Sequence, residues 1–409
     1  MRLERLIVPI LSVLALGWAV AQTMAGLLFE RELTRAMADL QARGELRIQR
    51  SGVSRGWLAS RGVLHLSPVL GDSWHLDVTY RARHGIFGTD LDGTLQSHLE
   101  RGEGDGSAAH NGQSPRWKAR YHTLTSTFDG AVELSPVELR QHDRSLTLKG
   151  GRVAFHGGFG DWQVRARLES VRLEDGDRRF EGGPFVLESR YAYTQGAYHF
   201  SQDDLLRLAN LRWVSPDLTL AGDEALLTSH TVLDEEELRV HSTLELGRIY
   251  AAGEVLLSGS LSLELSRLNA DALRELLGQL RTQATRANGI SSRALASSLR
   301  RLMRDSPRLD ILDASLDSPM LGVSLNGNGV LVFDARDLEE LSPLDLAAKE
   351  EQARWRRRLD GDFLWRKLPP VVALWLGLPL GTQDLQIDVV RGRLRINGRP
   401  LPRVLHWLQ

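Results

Sequence analysis

The sequence predicts an α+β protein that is predominantly an antiparallel β-meander, with an N-terminal transmembrane helix and a helical insert. Alternating apolar and polar residues recur in runs separated by glycine-rich turns, a pattern typical of strands with one buried face. A run of 24 residues without a formal charge lies near the start of the chain. Between Asn269 and Asp305 the apolar spacing changes to three and four residues, which indicates helices.

The uncharged run extends from Leu6 to Phe29. As a helix it would be about 36 Å long, enough to cross a hydrocarbon core of roughly 30 Å. The triplet Ala19-Val20-Ala21 leaves cleavage after Ala21 open, since small residues at this spacing mark signal-peptide cleavage. The apolar residues that follow Ala21 favour retention. The short basic leader favours a cytoplasmic N-terminus with the bulk of the chain on the other side of the membrane.

Changes in periodicity divide the rest of the chain. The predicted parts are a leader and anchor (1–29), an amphipathic stalk helix (30–46), a β-rich domain (47–267), a helical insert (268–306) and a C-terminal β/α module (307–409). The clearest strand is the alternating run Trp74–Ala82. Within the C-terminal module, Asn326–Gly329 reads NGNG and predicts a tight turn between two strands.

Composition excludes several classes of function. The 51 basic and 52 acidic residues nearly cancel, so no overall charge favours nucleic acid as a partner. The chain has no cysteine, which fits an oxidising compartment without disulfides. Its histidines show no metal-binding spacing, and the acidic run Asp234–Glu237 lacks the pattern of a calcium loop. We therefore predict no metal and no cofactor.

Three short segments resemble a known family. Arg55–Ser60 reads RGWLAS, His84–Phe87 reads HGIF, and Leu394–Leu401 reads LRINGRPL. In this order they resemble the YdgA-like family of bacterial inner-membrane and periplasmic proteins, which is classed by a domain of unknown function. Ile86 stands where that family usually has proline. A looser similarity, in architecture alone, is to the AsmA-like envelope proteins.

The resemblance implies a single-pass protein of the bacterial inner membrane with its C-terminal domain in the periplasm, and it implies no reaction. It also directs attention to motif positions of unknown role, which are Arg55, Gly56, Trp57, Ser60, His84, Gly85, Asn397 and Gly398. For His84, a structural role in a turn and a role in binding both stay open.

One segment invites a catalytic interpretation. Gly52–Gly56 matches the G-x-S-x-G pattern of a nucleophile elbow, with Ser54 as the nucleophile. The elbow requires a helix after the serine, whereas the residues that follow predict a strand. Whether the protein is an enzyme is therefore uncertain, and we predict no catalytic residue.

The leading hypothesis is a non-enzymatic, membrane-anchored envelope protein whose β-sheet binds an apolar ligand such as a lipid, or a protein partner. One-faced strands outnumber the helices that could cover them, so the apolar face needs another cover. Self-association into a homo-oligomer is one such cover. The alternatives are an envelope hydrolase that uses Ser54 or unrecognised carboxylates, and a structural spacer protein.

Overall fold

A computed structural model of the chain describes residues 4–42, 46–68, 74–99, 114–141, 144–194, 199–284, 292–342, 348–379 and 381–400. The sequence also predicts a polar loop at Arg101–Pro115, a helix stop at Gly44 and a terminal turn or helix at Leu401–Leu408. Residues 101–113, Gly44 and 401–408 lie outside the described residues. The chain divides into two compact units. The first comprises Met1–Gln141, Leu148–Arg167 and Gly278–Gly289, and the second comprises His142–Thr147, Leu168–Leu277 and Ile290–Gln409.

The chain begins with one long helix, continues through a series of strands, and has its shorter helices in the second half. In chain order the first elements are α1 (Glu4–Ala42), β1 (Leu46–Arg55), β2 (Ala59–Pro68), β3 (Trp74–Gly85), β4 (Gly88–Leu99), β5 (Arg116–His122), β6 (Thr127–Leu134), β7 (Val137–Gln141), β8 (Arg144–Gly158) and β9 (Asp161–Asp175). Next come β10 (Arg178–Gly182), β11 (Phe185–Thr194), β12 (His199–Val214), β13 (Thr219–Leu233), β14 (Glu237–Ala251), β15 (Glu254–Asn269), α2 (Ala270–Ala284) and α3 (Ser292–Leu302). The last are β16 (Arg308–Ser318), β17 (Val323–Phe333), α4 (Lys349–Arg356), β18 (Leu359–Arg366), α5 (Pro370–Trp375), β19 (Asp384–Val390), β20 (Arg393–Ile396) and β21 (Arg399–Pro400), with short 3-10 helices at Pro319–Leu321 and Leu338–Glu340.

The predicted antiparallel meander is confirmed. Most strands pair antiparallel with the next strand in the sequence, as in β2–β3, β13–β14 and β16–β17. The exceptions include β6, which pairs with β8, and β12, which pairs with both β10 and β11. The predicted alternation in β3 is also correct, because Tyr80 and Ala82 are buried while Arg81 and Arg83 are exposed.

Helix α1 is continuous through the predicted anchor and stalk, and its second half packs on the sheet of the first unit. Gln22, Ala25 and Phe29 are 2%, 1% and 0% exposed. Phe29 shares a core with Tyr80, Ala82, Leu91 and Tyr121. One face of the last third of the uncharged run therefore packs on the sheet, while Met24 and Leu27 on its other side are exposed.

This packing bears on the predicted transmembrane helix. Among the helices of the described residues, none is both long and apolar enough to cross a membrane. The structure thus does not support a transmembrane helix from Leu6 to Phe29. The physical reason lies in Gln22, Ala25 and Phe29, since side chains buried against a sheet are not available to lipid.

The tight turn predicted at Asn326–Gly329 is wrong. These residues lie inside the uninterrupted strand β17, where Gly327 is opposite Trp365 and Gly329 is opposite Phe363. A Cβ atom at Gly327 would lie 2.6 Å from Cε3 of Trp365. The two glycines leave room for aromatic rings of the next strand, so they serve packing and not a reversal of the chain.

Helices and strands predicted elsewhere in the second unit are present. An asparagine directly before a helical run predicts a cap, and Asn269 does cap α2, because its Oδ1 accepts the N–H of Ala272 at 2.8 Å. Helix α5 packs on the final hairpin in a core formed by Leu368, Ala373, Leu376, Leu378, Leu385 and Ile396. The division of the chain into five parts stays a prediction.

Candidate functional site

Most of the predicted motif positions meet at one end of the first unit's sheet. The turn between β1 and β2 holds Gly56, whose N–H donates to the carbonyl of Ala59 at 2.9 Å. The backbone N–H of His84, near the end of β3, donates to the carbonyl of Leu58 in that turn at 2.8 Å. Two segments that are far apart in sequence therefore form one site, which we call the motif cluster (Arg55–Ser60, His84 and Gly85).

His84 joins the motif cluster to helix α1. Its side chain is 7% exposed, and the ring Nδ1 lies 3.2 Å from the hydroxyl of the buried Thr89. The side-chain amide of Gln22 donates to the carbonyl of His84. Gly26 of the helix lies next to the His84 ring, and a Cβ added there would make an ordinary van der Waals contact at 3.5 Å. These contacts connect His84 to α1 and to β4.

A partly buried ion pair, which the sequence analysis missed, connects β1 to the same helix. The Arg50 guanidinium donates to both carboxylate oxygens of Glu30, with Nη1–Oε2 at 2.7 Å and Nη2–Oε1 at 2.8 Å. Its Nε also donates to the hydroxyl of Tyr80 at 2.8 Å. Bidentate pairs of this kind are strong and directional. The alternation of β1 could have indicated this pair, because Arg50 lies two residues after the buried Ile48 and so on the same face of the strand.

These surroundings shift the pKa values of the groups involved. The hydrogen bonds from Arg50 hold the pKa of the Glu30 carboxyl below its ordinary value, despite partial burial. Burial raises the pKa of the Tyr80 hydroxyl, which the Arg50 guanidinium partly offsets. Burial lowers the pKa of the His84 imidazole, because the charged form is desolvated.

Acidification is therefore expected to weaken the packing of α1. Unfolded His84 takes up a proton near its ordinary pKa of 6.5, while the buried ring resists it, so stability falls as pH drops below that value. Glu30 adds a second loss below its ordinary pKa of 4.5. Free energies of unfolding measured against pH should show both phases, and His84→Gln should remove only the upper one. An unchanged upper phase in that variant would contradict the assignment.

The second unit presents a different kind of surface. Cross-strand pairing from β11 to β15 aligns five leucines in one row, which we call the leucine row (Leu187, Leu206, Leu227, Leu244 and Leu261). No side chain of the leucine row is buried, and Leu227 and Leu244 are 37% and 40% exposed. A parallel row begins at Phe185 and Leu208 and reaches Leu316, which is 38% exposed.

The opposite face of these strands is polar. One cross-strand row contains Arg190, Asp203, His230, His241, Glu264 and Asp310. The imidazole of His230 contacts Asp203, with Nδ1–Oδ1 at 2.6 Å. The leucine row therefore lies on the face opposite this charged row. Apolar side chains left this accessible in a regular row are typical of a binding surface.

Comparison with known proteins places the chain in a family. A family model described as a bacterial protein of unknown function, DUF945, matches residues 6–361. The chain is a member of the DUF945 family. No curated protein and no solved structure matches it.

The two remaining motif positions of this DUF945 protein lie elsewhere. Asn397 and Gly398 form the turn between β20 and β21 in the second unit, beyond the residues that the family model matches. The side-chain Oδ1 of Asn397 accepts the N–H of Gln386 at 2.7 Å, and its N–H donates to the Gln386 carbonyl at 2.8 Å. Both residues have positive φ angles, so they shape a turn.

In the structure of this DUF945 protein, Ser54 does not lie in a nucleophile elbow. Ser54 lies near the end of β1, opposite Arg61 of β2, and a strand follows it. Three residues earlier, however, Ser51 Oγ lies 2.6 Å from Nε2 of His65, and His65 Nδ1 lies 2.7 Å from Oδ1 of Asp77. Ser51 precedes Gly52, which has a φ of 59° at an irregularity in the β1–β2 register. Such bulges can redirect side chains next to active sites.

The acidic run Asp234–Glu237 lies at the turn between β13 and β14. The Asp234 carboxylate accepts the backbone N–H groups of Glu236 and Glu237 at 2.9 and 3.0 Å, which lowers the pKa of Asp234. Across the ranges that the structure describes, no group of histidine, aspartate and glutamate side chains is arranged to hold a metal ion.

Proposed function

We propose that this DUF945 protein is held at the bacterial inner membrane by the N-terminal end of α1, and that the leucine row of its periplasmic second unit binds the acyl chain of a lipid. The observation that carries the ligand proposal is the incomplete burial of the leucine row. The YdgA-like name and the AsmA-like similarity are consistent with this proposal and stay predictions.

The dimensions of the leucine row suit an extended hydrocarbon chain. Five strands separated by ~4.8 Å give a row of about 19 Å. Complete burial of one leucine contributes roughly 1.5–3 kcal/mol, so covering the remaining exposed parts of the row would contribute several kcal/mol. Because the acyl chain of a lipid has no polar groups, it would lose no hydrogen bonds on binding to the leucine row.

The anchor in this proposal is shorter than the uncharged run. Since Gln22 and the residues after it pack on the sheet, the segment left for lipid is Leu6–Ala21, about 24 Å as a helix. The support for membrane insertion of this segment is its uncharged sequence. Extraction of native membranes at alkaline pH separates the outcomes, because an inserted chain stays with the lipid and a peripheral chain is released.

Lipid binding is tested by purifying the full chain and identifying bound lipids by mass spectrometry. Leu227→Asp is expected to reduce the retained lipid at least tenfold, because a carboxylate would replace an apolar contact in the row. Thr228→Asp is the matched control, since Thr228 is the next residue of β13 and is exposed on the opposite face. Equal lipid in both variants, or none in the wild type, would contradict the proposal.

The alternative hypotheses, self-association through the sheet and a structural spacer, predict different experimental results. If the leucine row binds a second copy of the chain, sedimentation should reveal a dimer that Leu227→Asp dissociates. A structural spacer would retain no lipid and would instead crosslink to another envelope protein.

A second candidate function is hydrolysis of a carboxylic ester, favoured by the contacts among Ser51, His65 and Asp77. In this function Ser51 Oγ bonds to the ester carbonyl carbon and its proton passes to His65 Nε2. Asp77 holds the Nδ1 proton of the ring. The ester C–O bond then breaks, the leaving alcohol takes the proton from His65, and water releases the acyl group by the reverse steps.

Labelling by a fluorophosphonate tests this second function. The wild-type chain should be labelled, and Ser51→Ala and His65→Gln should each abolish the labelling. Ser54→Ala, in the same strand, should leave the labelling intact. Labelling lost with Ser54→Ala would instead favour the alternative of an envelope hydrolase that uses Ser54. An unlabelled wild-type chain would reduce the three residues to polar contacts between strands.

A further inference from the structure

Neighbouring hairpin turns at one end of the first unit's sheet carry exposed apolar side chains. Leu58 in the β1–β2 turn, Phe87 in the β3–β4 turn and Leu124 in the β5–β6 turn are 45%, 70% and 82% exposed. The Leu58 carbonyl accepts the N–H of His84 at 2.8 Å, and the Phe87 carbonyl accepts the N–H of Thr123 at 3.2 Å. The turns are thus adjacent, and we call them, with Trp57, the tip patch (Trp57, Leu58, Phe87 and Leu124).

Helix α1 meets the sheet at the tip patch. The rings of Trp18 and Trp57 pack edge to face with their centroids 5.8 Å apart, and the two side chains are 49% and 50% exposed. The twelve residues before Trp18 read LIVPILSVLALG and contain no charge. Through Trp57 the tip patch therefore contacts α1 at Trp18, directly after this uncharged stretch. Tryptophan at such a junction is typical of a membrane interface.

Basic side chains lie just behind the turns. Arg55, Arg83 and Arg120 are 69%, 69% and 57% exposed and precede the three turns by a few residues. Their ion pairs are loose, at 3.3 Å to Glu30, 3.8 Å to Asp92 and 3.8 Å to Asp90. Apolar tips with cations behind them match the layered chemistry of an anionic bilayer surface.

The connection at the other end of these strands has a different composition. Residues 100–115, which join β4 to β5, read ERGEGDGSAAHNGQSP and contain no large apolar side chain. The β4–β5 connection thus contrasts with the β3–β4 and β5–β6 turns on either side of it in the sequence, which carry Phe87 and Leu124.

We propose that the tip patch inserts into the interfacial layer of an anionic phospholipid bilayer, the same bilayer that holds the N-terminal end of α1. The inference rests on the proposed membrane attachment and adds a second contact to it. With α1 and the turns both held, the first unit has a fixed orientation on the lipid surface, which one helix alone would not impose.

Because the chain contains no cysteine, single labels can be placed without background. Phe87→Cys and Leu124→Cys, each in the full chain and labelled with an environment-sensitive fluorophore, report on the tip patch. Gln49→Cys is the control, since Gln49 is exposed on β1, about 20 Å along the strand from the turn. The labelled chains are reconstituted into vesicles of equal parts phosphatidylglycerol and phosphatidylcholine.

Both tip labels are expected to shift to shorter wavelength and to be quenched by aqueous iodide several-fold less than the Gln49 label. If the chain sediments with the vesicles but all labels are quenched equally, the tip patch proposal is overturned while attachment by α1 stands. If the chain stays in the supernatant, both are overturned. If the tip labels were shielded equally without vesicles, the shielding would come from a protein contact, and the tip patch proposal would be overturned. If shielding were equal in vesicles of phosphatidylcholine alone, the requirement for anionic lipid would be overturned.

Discussion

Phe29→Ala is expected to weaken the packing of α1 on the first unit by about 3–5 kcal/mol, the range for removing a buried phenylalanine from a core. The Phe29 side chain is fully buried, and its ring lies 5.4 Å from that of His84 and 6.2 Å from that of Tyr121, centroid to centroid. The loss should appear as faster hydrogen exchange in α1 and β3 and as cleavage of α1 by added protease.

Leu27→Ala is the matched control for this change. Leu27 lies in the same helix, two residues earlier, and is 66% exposed. Its truncation should alter stability by no more than about 0.5 kcal/mol, as is usual for surface positions. If the two variants behaved alike, α1 would not pack on the sheet as described, and the whole run Leu6–Phe29 would again be available to lipid.

Arg50→Met should destabilise the first unit by about 3 kcal/mol, because it leaves the Glu30 carboxylate partly buried without its guanidinium partner. The two side chains are 10% and 17% exposed. Adding Glu30→Gln should recover part of the loss, since the uncompensated charge is then removed. Free energies of unfolding for the two single variants and the double variant give the coupling directly.

Arg55→Met is the control for the ion pair. Arg55 also contacts Glu30, at 3.3 Å, but its side chain is 69% exposed. Exposed pairs contribute little, so a change below about 1 kcal/mol is expected. A loss as large as that of Arg50→Met would mean that net charge near Glu30, and not the buried bidentate geometry, stabilises the site.

Strands and their pairing direction were predictable because a sheet with one buried face imposes a period of two on the sequence. The run Trp74–Ala82 carries that period clearly, and β3 is where it was expected. The cap at Asn269 was predictable for a similar reason, since the capping bond is local and depends on a single residue type.

Two features could not be assigned from the sequence because one residue pattern serves two physical purposes. The run Leu6–Phe29 is apolar, and both lipid and a sheet select for apolar helices; only the structure shows that Phe29 packs on the sheet. At Gly327 and Gly329, glycine was interpreted as a turn residue. The structure uses its missing side chain to admit Trp365 and Phe363.

The candidate sites depend on strand register, which the sequence did not supply. Ser51, His65 and Asp77 meet because β1, β2 and β3 pair in one particular alignment, and a shift by one residue would separate them. The search for a local serine motif therefore selected Ser54. The leucine row has the same origin, since its members are neighbours only across strands.

The predominance of pairing between consecutive strands affects how the molecule can be assembled. Each new strand finds its partner in the segment synthesised just before it, so loop closure is short at most steps. A growing chain can therefore add hairpins progressively, without waiting for its C-terminus. Nascent chains of increasing length should accordingly gain protease resistance in steps, and a single late transition would contradict such progressive assembly.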